Sequence, residues 1–253
     1  MKYHLIPSLL GAALLGLSAC GGSDNNTPPD TGAVRAVNGT TDSNGLDVAV
    51  SNVGSFSGIG LDTGSGLTDV PLGSYKVQLT SNSIQFTVNN VSVDHNNVTT
   101  VFSYGATGAS TEGGFPAEES VVAPTNGQAV VQPVHDALAA SAADPTLSIY
   151  LVKPGSGIGS VTPLTAGFQQ NPGSSAIAGG TYEIIVTNGS TVLFDSGPTG
   201  FALPATNGAN VFQIGALDAT SAQVTQHGSA LVMLLLDNQG GNEAIYNYLA
   251  PSA

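Results

Sequence analysis

Catalysis by side chains needs a nucleophile, a base and a group that orients the base. Beyond the first twenty residues the histidines are His95, His135 and His227. His95 lies in a turn between Asp94 and Asn96, His135 follows a strand-like run, and His227 precedes Gly228. None stands beside a nucleophile motif, and all three read as solvated loop residues. Gly155-Ser156-Gly157-Ile158-Gly159 lacks the lysine and the following helix of a phosphate loop. The spacing of Tyr75, Tyr150 and Tyr182 makes them packing residues in strands. No catalytic residue is assigned, and the chain is read as a non-enzyme. The remaining candidates are carboxylates in glycine-rich loops: Asp62 with Asp69, Asp42 with Asp47, and Asp237 with Glu243. Oxygen ligands around glycines could serve calcium. Their spacing fits neither an EF-hand nor a nonapeptide repeat, and Asx turns use the same residues for backbone reasons. No cofactor is expected, with calcium left as an alternative at those six acids.

One reactive group remains. Cys20 is the only cysteine, and it closes the run Leu17-Ser18-Ala19-Cys20. Lys2, the apolar stretch Leu5 to Leu17 and the small pair Ser18-Ala19 have the three-part form of a secretory signal. The apolar run is shorter than the ~20 residues of a membrane helix. The motif resembles the lipobox of bacterial lipoproteins. That resemblance implies cleavage between Ala19 and Cys20, a diacylglyceryl group on the thiol and usually an acylated new amino terminus. More than one acyl chain is what stable anchoring requires. Gly21 in place of aspartate suggests the outer membrane, in either leaflet.

Without residues 1–19 the chain keeps three bases, Arg35, Lys76 and Lys153, against 17 acids. Such a surface repels phosphate backbones, which argues against nucleic acid as a partner. Charged residues are 8% of the chain and hydrophobic ones 41%. Glycine and small polar residues make up the difference, as in an exported β protein rich in turns.

Gly21 to Gly32 has nothing to bury and reads as a flexible tether. From Ala33 the pattern has period two. Leu46 to Val50, Gly73 to Thr80, Ser83 to Val88 and Val98 to Tyr104 alternate as strands. Ser55 to Gly66 reads as a glycine-rich connection. The best helix candidate, His135 to Ala143, amounts to one turn. Leu231 to Leu236 reads as a buried strand, and Ala244 to Leu249 as its hairpin partner. The same elements then recur. Arg35-Ala36-Val37-Asn38 pairs with Gln132-Pro133-Val134-His135, Leu46-Asp47-Val48 with Leu147-Ser148-Ile149, and Gly73-Ser74-Tyr75 with Gly180-Thr181-Tyr182. Val101-Phe102 pairs with Val211-Phe212. The offsets of 97, 101, 107 and 110 grow in one direction, as two copies with unequal loops require. Hairpin turns are expected at Ser81-Asn82 and Asn188-Gly189. The expected layout is a signal peptide over 1–19, a lipidated cysteine and tether over 20–32, and repeats over 33–123 and 124–253. Val121-Val122 would end the first repeat. The fold expected is all-β: two tandem immunoglobulin-like antiparallel β-sandwich domains.

Arg35-Ala36-Val37-Asn38, Pro71-Leu72-Gly73-Ser74-Tyr75-Lys76-Val77, Val134-His135-Asp136 and Ile149-Tyr150-Leu151 resemble the exported bacterial family called domain of unknown function 4397. Copy two lacks the proline before Gly179-Gly180. The resemblance implies sandwich domains on surface proteins and lipoproteins, with no assigned activity to carry over. The functional expectation is an outer-membrane lipoprotein, held through lipid on Cys20, that binds a protein or glycan. A structural spacer or assembly subunit is the alternative; a calcium-dependent binder or a hydrolase ranks below both.

Overall fold

The computed structural model describes residues 30–95, 97–119, 125–203, 211–223 and 231–237. Cys20, Ala19, His227 and Glu243 lie outside them, as do Val121-Val122 and the Ala244 to Leu249 hairpin partner. Copy one runs through β1 (Thr31–Asn38), β2 (Leu46–Val50), β3 (Gly54–Ile59), β4 (Thr68–Pro71), β5 (Gly73–Ser81), β6 (Ile84–Val93), β7 (Val98–Tyr104) and β8 (Gly113–Glu118). Copy two opens with β9 (Gln128–Asp136) and a single helical turn, α1 (Leu138–Ser141). It continues with β10 (Thr146–Val152), β11 (Leu164–Gly167), β12 (Ser175–Ala178), β13 (Gly180–Asn188), β14 (Thr191–Asp195), β15 (Phe201–Leu203), β16 (Val211–Asp218) and β17 (Leu231–Asp237).

Each copy is a sandwich of two sheets. In copy one β4-β1-β7-β8 faces β3-β2-β5-β6. In copy two β12-β9-β16-β17 faces β11-β10-β13-β14, with β15 also paired to β13. Pairing is antiparallel except for β1 with β7 and β9 with β16, which run parallel. A parallel pair needs a crossover, and here the whole opposite sheet supplies it. Val34, Val48, Leu79 and Val101 fill the first core. Leu147, Ile149, Phe194 and Ile214 fill the second.

The copies share one strand order, with β14 and β15 together taking the place of β6, and pairing registers fix the correspondence. Tyr75 donates from its hydroxyl to the Pro71 carbonyl at 2.7 Å, and Tyr182 does the same to Ala178 at 2.6 Å. Leu46 pairs with Ser81 as Leu147 pairs with Asn188. These agree with offsets of 101 and 107. The last offset is corrected. Arg35 lies opposite Thr100, and its counterpart Gln132 lies opposite Gln213, so the true offset there is 113. The Val-Phe likeness at 110 misleads because an error of three flips side-chain facing in a strand of period two. Ile214, not Val211, occupies the core position of Val101.

Further corrections concern turns and edges. Both hairpin turns sit one residue later than expected, at Asn82-Ser83 and Gly189-Ser190, because Ser81 pairs with Ile84 and Asn188 with Thr191. Asn82 and Ser83 both take positive φ, 49° and 69°, matching the twist of the flanking strands. The Ser55 to Gly66 connection contains β3. The last described strand of copy one is β8.

Candidate functional site

Most of the sequence candidates are occupied by structural tasks. The Asp42 carboxylate accepts the Gly108 N–H at 2.7 Å and the Thr107 N–H at 2.9 Å. Partial burial works against its charge, but these hydrogen bonds hold its pKa below the ordinary value. Asp47 accepts the Gly58 N–H at 2.8 Å, where β2 and β3 shift register. Asp69 is an exposed residue of β4. Asp237 ends β17. Asp62 is buried, and one of its oxygens accepts from Gln223 at 2.5 Å. Among the described residues no three acids, histidines or cysteines are grouped to hold a metal.

His95 is exposed, as expected. His135 is not the solvated loop residue expected: it lies inside β9 with 0% exposure. Its Nδ1 accepts the Ala137 N–H at 3.2 Å, and its ring meets Phe168 edge-on at 5.3 Å. Burial depresses its pKa to about 4, against the pull of Asp144, so the imidazole is neutral at pH 7. The sequence misplaced it because a polar residue near a strand end usually faces water, and here a second sandwich covers that end.

The two copies meet sheet to sheet. β4-β1-β7-β8 and β12-β9-β16-β17 turn their second faces toward one another, with Val37, Phe102, Phe115, Val134 and Leu217 packed between them. This explains why β7 and β16 are buried almost without alternation. At the centre is a polar network. Arg35 Nη2 meets Glu119 Oε1 at 2.6 Å, both side chains 0% exposed. Arg35 also donates to Thr100 Oγ1 at 2.8 Å and, across the seam, to Gln213 Oε1 at 3.0 Å. Gln213 Nε2 donates to Gln132 Oε1 at 3.0 Å, and Gln132 Nε2 returns to the Glu118 carbonyl at 2.7 Å. Arg35 and Thr100 occupy the positions in copy one that Gln132 and Gln213 occupy in copy two. One pair of positions has thus been used twice to join the duplicate to itself. Sequence reasoning missed this network. The available signal was an arginine and a glutamine, each in the middle of an apolar strand.

One end of the seam is acidic. Asp136 is fully buried, and neither of its oxygens has a hydrogen-bond partner among the described residues. A Cβ added to Gly39 of copy one would stand 2.8 Å from Asp136 Oδ2, so the carboxyl presses on the Gly39 backbone. Burial, then the neighbouring Asp218, push its pKa well above the usual carboxylate range. Asp218 itself accepts the Ala139 N–H with both oxygens at 3.1 Å, fixing α1.

The outer faces differ between copies. On β13 the outward residues Glu183, Ile185 and Thr187 are buried. On copy one the outward residues Asp47, Ala49, Ser55, Ser57, Gln85 and Thr87 are exposed. A shallow depression of about 190 Å³ lies there, lined by Asp47, Ala49, Ser55, Phe56, Ser57 and Thr80. A second, more apolar pocket of about 230 Å³ lies beside α1, lined by Ala139, Ala140, Asn188, Leu193 and Leu231.

Residues 32–146 match the family described as Domain of unknown function (DUF4397). The first sandwich resembles that family. The DUF4397 match begins inside β1, covers all of copy one and ends at Thr146, the first residue of β10. It therefore takes in the seam positions Arg35, Thr100 and Gln132 but not Gln213. No curated protein matches the chain.

Proposed function

We propose that the chain is a non-enzymatic cell-envelope lipoprotein that holds a binding surface away from the membrane. The observation that carries this reading is the unequal cover of the two outer sheets. The outward residues of β13 are buried in copy two, while those of β2, β3 and β6 in copy one stand open and polar around a shallow depression. The seam joins the pair, so the open face of β3-β2-β5-β6 is held in place relative to β1, which follows the Cys20 segment in the chain. Lys76 is the only base on that outer sheet, which favours a neutral protein or glycan ligand over an anionic one. Calcium at Asp62, Asp69, Asp42 or Asp47 is no part of this reading, since these acids serve turns or lie singly on strands.

The test is an envelope pull-down and glycan panel with the purified chain and with a Ser55→Lys/Thr80→Lys variant. Retention of a ligand that the variant loses by about tenfold or more in Kd supports the face as the site. A ligand that both forms hold equally well removes it. A Cys20→Ala chain released from the membrane fraction supports the anchor; an unchanged fractionation pattern counts against it.

A second reading, an envelope spacer, draws on the buried seam itself. Two sandwiches joined face to face serve as a spacer whether or not the open face binds anything.

A further inference from the structure

The acidic end of the seam has no task in the proposed function. Asp136 points from β9 across to copy one, where the surface it meets is the Gly39 backbone. That backbone offers it no donor, because the Gly39 N–H is spent on the Ser103 carbonyl at 2.9 Å. The titratable groups that act on it are an acid and a weak acid. Asp218 comes from β16 and Tyr104 from β7. His135, next to it on β9, is neutral. The bases are elsewhere: Arg35 is committed to Glu119, Thr100 and Gln213, and Lys76 and Lys153 are exposed. A buried carboxylate with no donor and no cation is tolerable only in its protonated form. The described residues group no third ligand that would let a metal take the proton's place.

We propose that Asp136 is a proton-binding site that locks the two sandwiches together, and that release of its proton loosens this end of the seam. The proton leaves to solvent, and the carboxylate that remains faces Asp218 with no hydrogen-bond donor among the described residues. The sign follows from linkage. An acid whose folded-state pKa lies above its unfolded value favours the closed seam below that value. The advantage is lost as pH rises from the ordinary carboxylate value of 3.8 toward the raised one. The burial and the orphaned oxygens carry the proposal; the direction of titration supports it.

The experiment is amide hydrogen exchange on the full chain at about pH 5 and about pH 8, corrected for intrinsic chemical rates. The amides of Gly39 and Thr41, bonded to Ser103 and Gly105, report on the seam. Their protection should fall by about tenfold or more between the two conditions, while β5 amides in the outer sheet hold theirs. Asp136→Asn, neutral at every pH, should abolish the fall. Asp218→Asn, which removes the neighbouring charge, should move the transition to lower pH and serves if the first variant does not fold. Protection that does not depend on pH in the wild type overturns the proposal. So does a fall that persists in Asp136→Asn, or an Asp218→Asn transition that stays in place. Protection at about pH 8 that returns on adding calcium alone would make the site a cation site and overturn the proton reading.

Discussion

At Arg35 a guanidinium lies wholly out of water, held by one carboxylate and by acceptors from both repeats. Such a pair adds little over apolar packing, but breaking one half of it is severe. Arg35→Met should therefore lower stability to chemical denaturation by ~3–5 kcal/mol, because Glu119 stays behind in the seam. The double variant Arg35→Met/Glu119→Leu should recover much of that loss. Equal losses in the single and double variants would show that the pair is not coupled. His135 titrates with the opposite sign to Asp136. Its folded pKa of about 4 lies below the ordinary 6.5, so it contributes stability at neutral pH that is lost as pH falls between those values. The loss is on the order of 3 kcal/mol. His135→Gln should flatten the pH 4 to 6.5 part of the stability curve, as read by urea midpoints.

At the scale of elements, the two tyrosine anchors show what the sequence made legible. Gly-x-Tyr predicted a strand start in both repeats, and the hydroxyl of each tyrosine reaches back four residues to the preceding edge strand. Tyr182→Phe keeps the packing and loses the hydrogen bond, so it should cost about 1 kcal/mol by denaturant titration. A neutral result would mean that water replaces the bond without loss. Strands with one wet face were readable by alternation, as at Leu46 to Val50. The seam strands were not fully so. β1 and β16 are covered on both faces, their polar residues point into a second interior, and periodicity cannot tell that interior from solvent. The same ambiguity hid the site. Nothing in the sequence separates Arg35 and Gln213 from outward residues of ordinary strands, and His135 read as a loop residue. β3 escaped notice because glycine and serine carry no apolar signal; its partner strand holds it in place.

For the whole molecule, burial of two sheet faces against each other predicts that the sandwiches unfold together. Calorimetry of the chain should give one transition whose calorimetric and van't Hoff enthalpies agree. Arg35→Met should split it into two. Two transitions in the wild type would mean that the seam does not couple the repeats. The parallel pairing of β1 with β7 has a mechanical side. The segment that carries Cys20 enters the fold at β1, and the chain leaves copy one toward copy two after β7 and β8. If the amino end is pulled along the axis of β1 while the opposite end of copy one is held, β1 is drawn lengthwise past β7. The six paired positions from Ala33–Val98 to Asn38–Ser103 are then loaded in shear all at once, not peeled one by one. A fold loaded in this way withstands tension best along the axis of β1.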